Sequence, residues 1–390
     1  MQLIILLISV ILFACYAVLL MYYRYAWKTI PAFEAADVAT LSTTISVIIP
    51  ARNESANIIN CLLSIKNQTY PVHLFSVFVI DDHSTDNTAS LVRSCNMANV
   101  QLISLSEFIS AAPINSYKKK AIESGIAQSS ARLIVTTDAD CSFPNNWLQT
   151  IASFYETHQP AFIAAPVEID GSKSFIEIFQ SLDFLSLQGI TGASVQKKMH
   201  SMCNGANLAY ERAAFIEIDG FKGIDGIASG DDMLLMHKIY KRYPHRVKFL
   251  LSKDAIVETE AVKNIHSFFN QRIRWASKAD KYDDKRILPV LLAVYFFNVF
   301  LVMLPLMAIY SNTSFGFFAI RFSMLQAWLL LLVLKTCLEL FFLFPVASFF
   351  GKKKLLWLFP FMQPFHIIYT ITAGWLGKFG SYQWKGRKVK

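Results

Sequence analysis

Two regimes of polar and apolar residues share this chain. Residues 3–23 are apolar without a charge, and at about 1.5 Å per residue such a run, wound as a helix, spans the roughly 30 Å hydrocarbon layer of a bilayer. Arg24 and Lys28 follow at once, which puts the N-terminus outside and the next segment in the cytoplasm. No basic stretch precedes the run and no small-x-small cleavage site follows it, so it reads as a retained anchor rather than a signal peptide. Between residues 31 and 286 nothing is long and apolar enough to cross, and short polar and apolar segments alternate as in a soluble domain. Three more apolar tracts follow, at 287–310, 315–350 and 355–377, separated by Ser311-Asn312-Thr313-Ser314 and by Lys352-Lys353-Lys354. The charge contrast makes the first gap external and the second cytoplasmic. A third full crossing would export the basic tail that holds Lys378, Lys385, Arg387, Lys388 and Lys390. Pro360 and Pro364, beside Gln363 and His366, interrupt that last tract, so a re-entrant or interfacial segment is the alternative to a plain span. Lys335 and Glu339 lie one turn apart in the long tract, as a functional or a structural pair. The chain thus divides into an anchor (1–25), a cytoplasmic domain (40–286), a membrane region (287–378) and a basic tail (379–390).

Inside the soluble domain the pattern predicts strands that alternate with helices. Ile45-Ser46-Val47-Ile48-Ile49 is a short buried strand ending at Pro50, and Ile58, Ile59, Leu62, Leu63 and Ile65 mark the helix after it. A second strand, 75–80, leads to Asp81-Asp82 and a helix at 87–94 capped by Ser84, Thr85 or Asp86; strands at 100–105 and 133–137 follow. This alternation implies an α/β domain with a mostly parallel sheet covered on both faces.

Composition narrows the class. Hydrophobic residues make up 54% and charged residues 17% of the chain, against roughly 45–50% and about 25% for an average soluble domain. A wholly soluble chain is not expected, and a disordered one is excluded. The net charge of +9 does not indicate nucleic acid, because the basic residues also rim the membrane segments and no nucleic-acid-binding motif is present. Six scattered Cys without C-x-x-C spacing indicate neither a disulfide framework nor a zinc site.

The candidate chemistry sits at strand ends. In open sheets of this kind ligands bind outside the carboxyl ends of the strands, where this chain puts Arg52/Asn53/Glu54, Asp81/Asp82 and Asp138/Asp140. Each cluster alone reads as a helix cap or a turn; three at the same edge read as a site. Two carboxylates at the end of a buried strand suit Mg²⁺ or Mn²⁺, hard cations that share their shell with substrate phosphates. Neither a Walker A motif nor a dinucleotide-binding glycine fingerprint occurs. Further on lie Asn204-Gly205-Ala206-Asn207, Gly230-Asp231-Asp232 and Gln271-Arg272-Ile273-Arg274-Trp275, the last placing Gln271, Arg274 and Trp275 on one helix face, which could equally be an amphipathic surface on the bilayer.

With these motifs in this order, the chain resembles the membrane-bound family-2 glycosyltransferases of GT-A fold over residues 44–282. The resemblance rests on Val47-Ile48-Ile49-Pro50-Ala51-Arg52-Asn53-Glu54, Asp81-Asp82-x-Ser84-x-Asp86-x-Thr88, Lys118 to Ile122, Asp138-Ala139-Asp140, Gly230-Asp231-Asp232 and Gln271-x-x-Arg274-Trp275. Trp384-Lys385-Gly386-Arg387 is also similar to the tails of lipid-glycosylating members. The resemblance implies transfer of a hexosyl-type sugar, with inversion, from a nucleoside diphosphate donor, UDP-sugars being favoured over GDP-sugars. It implies donor contacts from Pro50, Arg52, Glu54, Asp82, Lys118 and Asp138, a divalent ion (Mg²⁺ or Mn²⁺) on Asp138 and Asp140, and a general base in Asp232. Gln271, Arg274 and Trp275 would serve the diphosphate and the acceptor. Asp231 stands where the family usually has Glu, so the base role goes to Asp232. The acceptor would be a lipid or lipid-linked saccharide at the cytoplasmic face of a bacterial inner membrane. A processive polysaccharide synthase is the close alternative, and a non-catalytic nucleotide-sugar-binding membrane protein the alternative of another class.

Overall fold

The computed structural model describes residues 2–108, 116–171, 173–227, 230–278, 282–310, 314–317, 320–380, 382–384 and 387–389. The first apolar run is helix α1 (Gln2–Lys28). The soluble part then runs β1 (Ile45–Ala51), α2 (Ile58–Lys66), β2 (Phe75–Asp81), α3 (Thr88–Ser94), β3 (Val100–Ser104), α4 (Tyr117–Gln128), β4 (Leu133–Thr136), β5 (Cys141–Ser142) and α5 (Trp147–His158). It continues through β6 (Phe162–Ala164), β7 (Val167–Asp170), α6 (Phe175–Lys197), β8 (Leu208–Glu211), α7 (Arg212–Glu217), α8 (Met233–Arg242), β9 (Val247–Phe249), β10 (Val257–Glu260) and α9 (Ile265–Ala276). The remaining apolar tracts contain α10 (Ile287–Tyr310), α11 (Met324–Phe349) and α12 (Phe359–Phe379).

Seven strands form the main sheet in the order β3-β2-β1-β4-β8-β6-β9. Only β8 runs antiparallel to its neighbours. Along β1 the side chains alternate between two packed layers. Val47 and Ile49 belong to the layer that holds Ile58, Leu62 and Ile65 of α2 and Trp147 of α5, while Ile48 belongs to the layer of Ala121, Ile122 and Ile126 of α4. A strand covered on both faces needs the unbroken apolar run that the sequence shows. Since β1, β2 and β4 are parallel and in register, their carboxyl ends share one edge.

Among the described residues four helices, α1, α10, α11 and α12, are long and apolar enough to cross a membrane. They are not a separate module, because the core layer under Ile48 continues without a break into Tyr16 of α1, Leu301 of α10 and Phe342 of α11. Two glycines on α6 make the seam. A Cβ at Gly189 would stand 2.7 Å from Phe342 and Val346, and one at Gly192 2.8 Å from Trp27, so only glycine lets α11 and α1 lie this close.

The structure departs from the sequence pattern in three places. The tract at 315–350 is not helical throughout: Ser314–Phe317 pairs with Ile320–Ser323 as a hairpin, and α11 begins where Ser323 and Gln326 form a capping box. Residues 311–313 of the expected external gap, and Lys385 and Gly386 of the tail motif, lie outside the described residues. The tract at 355–377 contains one continuous helix and no hairpin, with Pro360 in the first turn, where no intrahelical bond is lost, and Pro364 inside. Helix α3 has Asn87 at its N-cap without a side-chain bond, and Asp86 reaches past it to accept from Thr88 N–H.

Candidate active site

The ends of β1 and β2 are sewn together by side chains. Backbone N–H groups of Asn53, Glu54 and Ser55 donate to Ser84 Oγ (3.0 Å), Thr88 Oγ1 (2.8 Å) and Asp86 Oδ2 (3.0 Å). Burial works the other way, but hydrogen bonds from Thr88 and Ser55 hold the Asp86 carboxyl well below the usual carboxylate range. The Ser84-x-Asp86-x-Thr88 spacing therefore has a tertiary explanation: it frames the loop that presents Arg52. Arg52 Nη1 donates to the Asp82 carbonyl at 2.7 Å and lies 3.8 Å from Asp82 Oδ1. Asp82 is buried, and Pro50, Arg52, Glu54 and Asp82 all line one cavity.

Asp138 and Asp140 close the end of β4. Thr137 Oγ1 donates to the Ala206 carbonyl (2.7 Å), and Cys141 N–H donates to the Asp138 carbonyl (3.3 Å), which fixes the turn. Lys118, expected near phosphate, is paired with acids: its Nζ lies 2.7 Å from Asp138 Oδ1 and 3.0 Å from Asp231 Oδ2. Burial opposes the charge, but Asp138 and Asp231 outweigh it and hold the ammonium above its ordinary value. Asp231 is likewise held below the usual range, against burial, by Lys118 and Lys278. Gly205 makes room for this cluster, since a Cβ there would stand 3.2 Å from Lys118 Nζ and 3.3 Å from Asp231 Oδ2. Asp232, the N-cap residue of α8, accepts from Met233 N–H through Oδ1 at 2.7 Å and lines the same cavity. The capping bond uses one of its two oxygens.

Helix α9 supplies the far wall. Gln271, Arg274 and Trp275 all line the cavity, as their shared face predicts. Three further residues, Arg272, Asp183 and Lys278, line this part of the cavity and are not among the candidates read from the sequence. Arg272 donates through Nη1 to Gln271 Oε1 (3.0 Å), and its guanidinium lies 4.2 Å over the Trp275 ring. Asp183 accepts from Arg272 Nη2 at 2.7 Å. At Lys278, burial, with Arg274 nearby, holds the ammonium below its ordinary value against the pull of Asp232. Lys278 has a signal, being one helical turn beyond Arg274; Asp183 has none in its helical context. The cavity measures about 1080 Å³, just above the roughly 300–1,000 Å³ typical of a single-ligand pocket. It runs from Arg52 past Asp138 and Asp232 to Trp275, and on between Leu20 of α1 and Val294 of α10.

Where α1 meets the domain, His200 Nε2 contacts Tyr23 Oη (2.9 Å) and Ser194 Oγ (3.1 Å), and burial pushes its imidazole down to about 4. The unfolded chain, near 6.5, then binds the proton more tightly than the folded one. Stability is therefore fully present above pH 6.5 and falls as pH drops toward 4, by up to about 3 kcal/mol. Thermal unfolding in detergent across that range should show the loss, and His200→Gln should flatten it; an equal slope in the variant would remove His200 as its source.

A seven-stranded α/β sheet with a cavity at its carboxyl edge, two carboxylates on that edge and a helix roof beside the apolar helices defines a GT-A glycosyltransferase domain built onto a membrane region. The chain belongs to glycosyl transferase family group 2, whose model matches residues 133–375, and the glycosyl transferase family 2 model matches residues 46–219. Glycosyltransferase AglE of Haloferax volcanii is 37% identical over 107 residues, 27% of this chain and 33% of the relative. An N-acetylglucosaminyltransferase of Rhizobium meliloti is 27% identical over 259 residues, 63% of this chain and 58% of the relative. The chain thus spans from about a third to about three fifths of the length of the curated relatives it matches. Mannosyltransferase PcManGT from Pyrobaculum calidifontis, solved in complex with GDP-Man and Mn²⁺, shares the fold at a TM-score of 0.57 and 20% identity, over 94% of this chain and 99% of that one.

Proposed function

We propose that the protein is an inverting glycosyltransferase that moves a sugar from a nucleoside diphosphate donor to a lipid or lipid-linked acceptor at the cytoplasmic face of the membrane, a bacterial inner membrane in our reading. The observation that carries this is the single cavity joining the Arg52–Asp82 end, the acidic edge and Trp275 to a space between apolar helices. Pro50, Arg52, Glu54 and Asp82 hold the nucleoside. Asp138 and Asp140 fit a divalent ion, Mg²⁺ or Mn²⁺. Both are hard oxygen donors, and Lys118 already lays a positive charge on Asp138. No third His, Cys, Asp or Glu completes such a set among the described residues, which suits an ion whose other ligands come from a diphosphate. When bound, the ion would neutralise charge growing on the departing diphosphate. Arg274 and Lys118 add positive charge on that side. Asp232 takes the proton of the acceptor hydroxyl as its oxygen bonds to the anomeric carbon and the bond from that carbon to the diphosphate breaks.

Two observations support the topology. Lys352 Nζ lies 3.0 Å from Glu168 Oε2 and donates to the Ile169 carbonyl at 2.8 Å, which puts the basic loop on the side of the catalytic domain. Helix α12 lies along α9, from the Phe365–Phe268 ring contact to Gly377 against Ala276, and exposes Phe361, Trp375 and Phe379 outward. This supports the reading of α12 as a helix resting at the membrane surface, with the tail on the cytoplasmic side, over that of a third crossing.

The test is release of nucleoside diphosphate by detergent-purified protein given UDP- and GDP-sugars with Mg²⁺ or Mn²⁺, followed by mass spectrometry of extracted lipid. Release coupled to a lipid of one added sugar is expected. A ladder of sugars would identify the processive synthase. Donor binding without release would identify a non-catalytic binding protein.

A further inference from the structure

A chain of polar contacts links the membrane helices to the acceptor wall. Lys335 of α11, fully buried, donates through Nζ to Glu339 Oε1 (2.7 Å) and to Gln363 Oε1 of α12 (2.8 Å). Gln363 Nε2 and the Tyr16 hydroxyl of α1 donate to Glu339, so three helices meet at one carboxylate. Farther along α12, the Tyr369 hydroxyl donates to Asp183 Oδ1, and His366 Nε2 stands 4.0 Å from the same oxygen. Asp183 grips Arg272, and Arg272 grips Gln271 and Trp275. Buried charge in such a place is tolerated only when paired and hydrogen-bonded, and a paired set has one geometry.

We propose that α12 is a strut: the Lys335–Glu339–Gln363 cluster fixes it against α11, and Asp183 and Arg272 are positioning residues that hold Gln271 and Trp275 in place on its other side. Asp183, Arg272 and Glu339 also line the cavity; the role assigned to them is to act through the α9 wall. The inference rests on the reading of Trp275 as the acceptor side of the cavity. It predicts that cutting α12 at either end loosens Trp275 and leaves the donor end of the site intact.

The experiment uses full-length protein in detergent, labelled with 5-fluorotryptophan, with the Trp275 fluorine resonance assigned by its absence in Trp275→Phe. Gln363→Leu removes the contact with Lys335 and Glu339; Tyr369→Phe removes only the hydroxyl on Asp183. Both are expected to shift or broaden the Trp275 resonance. The resonance of Trp147, which is buried and donates to Asn207 Oδ1 at 3.0 Å, should stay as in the parent. Affinity for GDP-mannose and UDP-N-acetylglucosamine, measured by calorimetry, should also stay as in the parent. An unmoved Trp275 signal in either folded variant, or donor affinity lost along with it, would overturn the proposal. If Gln363→Leu does not fold, the isosteric Tyr369→Phe decides alone. The fluorine readout needs no turnover, so a chain that transferred no sugar would defeat the proposed function and still show whether α12 holds Trp275.

Discussion

Asp138→Asn and Asp140→Asn are each expected to abolish sugar transfer while leaving a folded, membrane-inserted protein. An amide keeps the shape of the carboxylate and removes the charge that a hard cation needs. Stability should change little, since Asp138 is partly exposed and its pairing with Lys118 is of a kind that contributes at most about 1 kcal/mol when solvent screens it. Lys118 also keeps its second partner, Asp231, at 3.0 Å. The two variants check each other, because the ion pairs of Lys118 run to Asp138 and Asp231, and Asp140→Asn leaves both in place. EDTA should act on the wild type as the substitutions do, and added Mn²⁺ or Mg²⁺ should reverse it. Full transfer in EDTA would sink the metal role.

Asp232→Asn is expected to lower turnover by roughly 10²-fold or more while donor affinity holds, because the proton is taken only as the acceptor attacks. Asp232 caps α8 through Oδ1, and Asn caps a helix about as well as Asp, so the substitution separates a cap from a base. If capping is its whole role, the variant is silent. Asp231 is the weaker candidate, since Lys118 and Lys278 hold its carboxyl below the usual range and a more acidic group is a poorer proton acceptor. Transfer by the variant, measured with donor calorimetry in the absence of acceptor, gives the answer. Unchanged transfer, or donor affinity falling as far as transfer does, removes Asp232 from the mechanism.

The strand alternation and the shared edge of β1, β2 and β4 are legible in the sequence because period-two patterning and strand-end polarity are local properties. So is the face shared by Gln271, Arg274 and Trp275, which needs only helical spacing. What local pattern cannot carry is pairing between distant segments. Ser84, Asp86 and Thr88 read as caps or as part of a motif, and their partners prove to be backbone N–H groups on another loop. Arg272 and Asp183 meet across 89 residues, and neither residue alone says that it is half of a buried pair. In the last apolar tract the prolines suggest an interruption. One falls where a helix tolerates it, and α9 packs along the rest, which is tertiary context outweighing propensity.

The glycine seam on α6 bears on what the proposed enzyme would measure. A catalytic domain on a flexible tether would sample many heights above the bilayer and would reach acceptors of many lengths. Here Gly189 and Gly192 let the domain lie directly against α11 and α1, which holds Trp275 at one place relative to the apolar helices. If the acceptor is the lipid proposed above, it would enter at a depth set by the bilayer, and its hydroxyl would meet Asp232, the proposed base, only when the segment between tail and hydroxyl had the matching length. On that proposal the protein would be a gauge, selecting acceptors by reach as well as by the chemistry of the group that receives the sugar.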